Sequence, residues 1–201
     1  MRDLRVAAVL LCLTASLAAH AAALTVSVTD AAGKPLADAV VYVVVKGLPA
    51  RAAAGATAQI AQQGRQFEPR VTVVQTGTPV LFPNKDTVRH HVYSFSPVRT
   101  FELKLYAGTP SEPIVFDKAG TAVLGCNIHD RMTAWVHVVD TPLFAKTDAA
   151  GHATLDVPAG AHRLRAWHYL QPEEAPPAEQ PLQMASAAGA ASVRLAVGAG
   201  R

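Results

Sequence analysis

The chain has 201 residues, half of them apolar and only 16% charged, with 18 basic and 15 acidic side chains for a net charge of +3. So small an excess, scattered along the sequence, argues against a nucleic-acid binder, which concentrates Lys and Arg to neutralise phosphates. The length suits one large domain or two small ones.

The first 23 residues, MRDLRVAAVLLCLTASLAAHAAA, place Arg2 and Arg5 ahead of an apolar run and finish in small residues. That order is the layout of a secretory leader, cut near Ala21 or Ala23. The apolar run is shorter than the ~20 residues a spanning helix needs, and no later segment is long and apolar enough to span. The expectation is an exported, periplasmic protein that does not cross the membrane. Cys12 lies inside this leader, after bulky Leu11, so Cys126 is the only thiol expected in the mature chain.

Beyond the leader the sequence reads as all-β. Short runs rich in Val, Thr and Tyr recur in chain order as LTVSVTD, AVVYVVV, RVTVVQ, PVLFP, HVYSFS, AVLG, WVHVVD, ATLDV, HRLRAW and SVRLAV. Each is bounded by Gly, Pro, Asp or Asn, the pattern of strands in a sandwich or barrel. Residues 47–64 are Ala-rich and predict a linker or short helix, and the tail after Pro172 predicts loop until SVRLAV. The pentapeptide TDAAG occurs at Thr29–Gly33 and again at Thr147–Gly151. With PLADAVVYV after the first copy and TLDVPAGAHRLRAWH after the second, these ends resemble the carboxypeptidase regulatory-like, or transthyretin-like, β-sandwich modules. The resemblance implies one small sandwich built from residues 24–46 and 141–199, with residues 58–140 inserted between its halves as a second domain.

The chemistry concentrates in the insert. A lone thiol in an oxidising compartment is left with an intermolecular disulfide, a nucleophilic role, a metal, or inert burial. In LGCNIHDRMTAW, Cys126, His129 and Met132 follow one another at intervals of three. Thiolate, imidazole and a weak thioether are the donors of a blue-copper site, which takes two His and one Cys in a plane with Met on the axis. Zinc fits less well, because Met is a poor zinc ligand. A Cys–His nucleophile needs a base and an orienting third group around an open pocket.

The missing histidine lies upstream in PVLFPNKDTVRHHVYSFS. Val80, Phe82, Asn84, Asp86, His90 and Val92 match in order the "VxFxNxDxxxHxV" pattern of the cupredoxins, the plastocyanin and amicyanin group. Phe67, Pro69 and Gly77 match more of that family's signature, and the GTAVLGC run from Gly120 to Cys126 follows its "GTYxxxC" except at the aromatic, where Ala122 stands. HHVYSFS, FELKLY, GCNIHDRM and DTPLFAKTD look closer still to the bacterial plastocyanin-like "methylamine utilization" proteins.

The resemblance implies a Greek-key cupredoxin sandwich over residues 58–140 and one copper ion held by His90, Cys126, His129 and Met132. Cupredoxins place Asn after the first histidine, where it ties the ligand loops together; here that position is His91. Either His91 takes over that supporting role, together with Asn84 and Asn127, or His91 is itself the ligand. Neighbouring residues of a strand point to opposite faces, so only one of the pair should face the ion. Val92, Leu124, Trp135 and Val136 are expected to pack around the site, whereas His137 is expected to face solvent. A packed Trp167 beside a polar His168 is expected in place of a second metal site.

The function implied is a mononuclear type 1 copper protein, not an enzyme by itself. It would carry single electrons between redox partners such as a c-type cytochrome or a dehydrogenase. The alternative is a copper-binding module that stores, delivers or senses the metal.

Overall fold

A computed structural model describes residues 21–129 and 131–198. Most of the expected leader therefore lies outside the described residues, although the first strand begins at Ala21, before its expected end. Every regular element among the described residues is a strand, as the density of β-branched residues and turn formers dictates.

In chain order the first strands are β1 (Ala21–Asp30) and β2 (Val40–Val44). The middle of the chain forms β3 (Ala58–Gln59), β4 (Ala61–Gln63), β5 (Gln66–Glu68), β6 (Val71–Gln75), β7 (Thr78–Leu81) and β8 (His90–Ser94). It continues through β9 (Phe101–Tyr106), β10 (Ile114–Phe116), β11 (Gly120–Gly125) and β12 (Thr133–Val139). The last part supplies β13 (Phe144–Lys146), β14 (His152–Pro158), β15 (Gly160–Trp167), β16 (Ala178–Met184) and β17 (Gly189–Leu195).

Two sheets, ordered β14-β1-β17 and β13-β2-β15-β16, come entirely from the two ends of the described chain. In β1 exposed and buried residues alternate, so Leu24, Val26 and Val28 turn inward against Val41, Val43, Leu155 and Leu164. The TDAAG turns are built alike. Asp30 Oδ1 accepts the N–H groups of Ala32 and Lys34, and Asp148 Oδ1 those of Ala150 and His152. Gly151 has φ +76°, and a Cβ there would lie 2.6 Å from the Val28 carbonyl oxygen, so the turn demands glycine twice over.

The middle of the chain forms a five-stranded sheet, β6-β12-β11-β8-β9, and a three-stranded one, β10-β7-β3, with the β4-β5 hairpin beside them. Their core joins Ile60, Phe67, Phe82, Val92, Phe116, Leu124 and Val136. A third cluster unites the two halves: Val40, Tyr42 and Trp167 of the end sheets pack with Val71 and Val139 of the middle ones.

Two segments differ from expectation. Residues 47–64 hold no helix; they run irregularly into β3 and β4. Tertiary pairing with β7 and β5 overrides their Ala-rich composition. The tail after Pro172 contains β16, seven residues with no β-branched side chain, paired along its whole length with β15. Pro181 is tolerated there because β16 is an edge strand.

Candidate metal centre

Three strands, β8, β11 and β12, deliver the residues singled out in the sequence. Cys126 follows β11, His129 stands in the tight turn beyond it, and Met132 opens the way into β12; the Met132 N–H donates to the His129 carbonyl at 2.9 Å and closes the turn. His90 begins β8, which pairs with the end of β11 at Gly125 and Tyr93. That pairing is tight: a Cβ on Gly125 would lie 2.6 Å from the Tyr93 ring.

The structure gathers His90, Cys126 and His129, with one donor atom from each lying within 4.8 Å of the others. His90 is wholly buried and Cys126 is 4% exposed with a free thiol, whereas His129 is only partly buried. The His90 Nδ1 lies 4.0 Å from the Cys126 sulfur, and the two imidazole rings are 5.0 Å apart. Met132 is 1% exposed and belongs to the same core cluster as Cys126.

These donors suit a soft metal ion. The Nδ1 of His129 is buried and has no hydrogen-bond partner. Leaving such an atom unsatisfied costs roughly 1–3 kcal/mol, a cost that ligation removes. A buried thiol beside two imidazoles and a thioether-bearing core residue is the donor set that selects copper. A carboxylate is absent from the three-residue cluster, which disfavours the hard cations.

His90 and His91 part company as adjacent strand residues should. His91 Nε2 pairs with Glu102 on β9 at 2.8 Å, and its ring lies against Tyr93, so it does not tie the ligand loops together. Both histidines are nonetheless buried, and the β8-β9 register shifts between His90 and Val92. Asn84 fastens the loop that leads to His90, donating from Nδ2 to the carbonyls of Val88 and Tyr106 at 2.9 Å each. Asn127 is exposed in the ligand turn.

Asp86 is the participant that sequence reasoning passed over. Its Oδ2 lies 2.7 Å from His90 Nε2. The same carboxylate accepts the N–H groups of Gly64 and Arg65, at 2.7 and 2.9 Å, in the β4-β5 turn. The Arg65 amide, His90 and the Gly64 amide together hold its pKa below the usual carboxylate value. The available signal was the Asp of N-x-D-x-x-x-H, four residues before the histidine. A partly buried group nearby is Tyr106, whose hydroxyl donates to the Phe82 carbonyl at 2.7 Å and accepts from Gln62 Nε2. Burial pushes its pKa up to about 12.

The outer face of the five-stranded sheet departs from two expectations. Val92, Leu124 and Val136 pack with Cys126, but Trp135 points the other way, against Tyr169 at 4.7 Å. Arg70 caps this pair, 5.1 Å from the Trp135 ring and 4.8 Å from that of Tyr169. His137 does not face solvent. It is 2% exposed and stacked on Trp167 at 4.5 Å, because the end sheets cover that part of the face. His168 is engaged at both nitrogens, donating from Nε2 to the Ala37 carbonyl and accepting the Leu170 N–H, and so offers no free donor for a second metal.

No protein-family model matches the chain, and no curated protein does. Among solved structures it is similar to a purple cupredoxin from Nitrosopumilus maritimus, at 22% identity and TM-score 0.36 over 40% of this chain and 98% of that one. It is similar to amicyanin from Paracoccus versutus at 18% identity and TM-score 0.35, over 49% of this chain and 96% of that one. It is also similar to a copper-containing nitrite reductase from Thermus scotoductus at 25% identity and TM-score 0.39, spanning 48% of this chain but only 25% of the reductase.

Proposed function

We propose that this chain is an exported, mononuclear copper protein of the blue type, carrying single electrons between protein partners and making or breaking no substrate bond. The observation that carries the reading is the convergence of His90, from β8, with Cys126 and His129, from the turn between β11 and β12, on one small volume. Buried Met132 stands beside them in the same core. Bound there, copper would supply a one-electron couple.

The residues do the rest. His90, Cys126 and His129 would hold the ion, and Met132 would add a weak thioether donor. The surrounding Val92, Leu124 and Val136 exclude water, and the anchored loops resist rearrangement between oxidation states, which keeps electron exchange fast. His129 is the most accessible of the donors, and its neighbour Ile128 is 45% exposed. That rim is where a redox partner would approach, in the small interface typical of transient electron-transfer encounters. Among the described residues no helix is long and apolar enough to cross a membrane, and the expected leader in the first 23 residues supports export to the periplasm.

Addition of copper(II) to the protein without its leader is expected to produce an intense visible thiolate-to-copper band and a narrow hyperfine splitting. Cys126→Ala, His90→Ala and His129→Ala should each abolish them, while Met132→Leu should keep the color and raise the potential. A Cys126→Ala protein with the parent's spectrum rules the site out. Copper that passes to a competing acceptor, without reversible reduction on the protein, would mark a carrier of metal instead of electrons.

A further inference from the structure

We propose that Asp86 is a positioning residue for this centre: its carboxylate fixes His90 in the tautomer whose bare Nδ1 faces Cys126, and its charge lowers the reduction potential of the ion held there. The second half rests on the copper reading above; the first does not.

His90 is fully buried, so each ring nitrogen must find its partner within the protein. Nε2 meets Asp86 Oδ2 at 2.7 Å, and Nδ1 meets only the Cys126 sulfur, at 4.0 Å. An ionised carboxylate can only accept, so Nε2 carries the proton and Nδ1 keeps a free lone pair, the form in which a neutral imidazole binds metal. Asp86 is itself held on three sides. The amides of Gly64 and Arg65 donate to it, and its own N–H donates to Asn84 Oδ1 at 3.0 Å. The carboxylate cannot leave His90 without loosening the β4-β5 turn.

A staple for that turn alone would need only the two backbone contacts. The third contact, on the same Oδ2 that accepts from Arg65, gives the residue its second task. A carboxylate on the far nitrogen of a ligand histidine raises the basicity of the near one. A negative charge at that distance also favours the more highly charged oxidation state of the ion, which lowers the potential.

The test begins without metal. Nitrogen-15 NMR of the metal-free protein should show His90 protonated at Nε2 and bare at Nδ1, and Asp86→Ala should redistribute the proton. With copper(II), chelator competition should find the Asp86→Ala protein binding roughly 10–100-fold more weakly. Asp86→Asn keeps one oxygen for the hydrogen bond while losing the charge, and voltammetry should show its potential shifted upward. If Asp86→Ala does not fold, Asp86→Asn carries the measurement. A His90 protonated at Nδ1 in the parent overturns the proposal, as do variants that match the parent in both affinity and potential. A parent with the Nε2–H tautomer but no blue spectrum removes the copper reading and the effect on potential, and leaves the tautomer assignment supported.

Discussion

Among individual residues, His137 carries the clearest dependence on pH. Burial against Trp167 and Tyr42 pushes its pKa from the ordinary 6.5 down to about 4. Between those values the unfolded chain takes up a proton that the folded chain refuses. Stability is therefore greatest above pH 6.5 and falls as the pH drops toward 4, by about 3 kcal/mol in full. Urea unfolding at pH 7 and pH 4.5 should show this loss, and His137→Phe, which keeps a flat ring on Trp167, should reduce it. An equal loss in both proteins would assign the acid sensitivity to other groups. The residue also shows where side-chain reasoning stops. V-H-V alternation on β12 gives the face His137 occupies, but not that sheets contributed from residues on either side in sequence cover that face. The C-x2-H-x2-M spacing and the upstream N-x-D-x-x-x-H did name the residues that the structure gathers, because those spacings reflect short-range turn and strand geometry. Asp86 stood in that motif, but its contacts escaped notice because Gly64 closes a stretch that reads as linker and Arg65 lies just beyond it.

At the level of elements, the β8-β11 contact governs how firmly the ligand loop is seated. Cys126 is aligned by the strand that ends at Gly125, and the Tyr93 ring lies where a side chain at position 125 would go. Gly125→Ala should lower stability by about 1–3 kcal/mol through overpacking. Adding Tyr93→Ala should return part of that loss, because the two substitutions relieve the same clash. Denaturant midpoints of the single and double variants measure the coupling, and strictly additive values would mean the ring swings aside freely. Most of the strands were legible as runs of β-branched residues. Those that were not, β3, β4, β5, β9, β10, β13 and β16, owe their conformation to the strands beside them more than to their own composition. The register shift between β8 and β9, which falls between His90 and Val92, is equally invisible in sequence.

For the whole molecule, the junction decides whether the two cores act together. Trp167 reaches from β15 onto His137, while Tyr42, Val71 and Val139 fill the space around it. Trp167→Ala should cost about 3–5 kcal/mol and separate one calorimetric transition into two. A single transition at the parent's temperature would show that the junction contributes little. Composition and spacing could not supply this contact, since it joins residues 30 positions apart through packing alone. The topology has a mechanical consequence as well. The chain leaves the end sheets after β2 and returns as β13, which is hydrogen-bonded to β2 through Phe144 and Tyr42. Both ends of the intervening segment are thereby clasped side by side. β1 and β17 lie parallel over seven paired residues, so tension applied at the outer ends of these two strands would act in shear on that ladder. The segment holding His90, Cys126 and His129 lies off the load path, and its geometry is insulated from force until the ladder gives way.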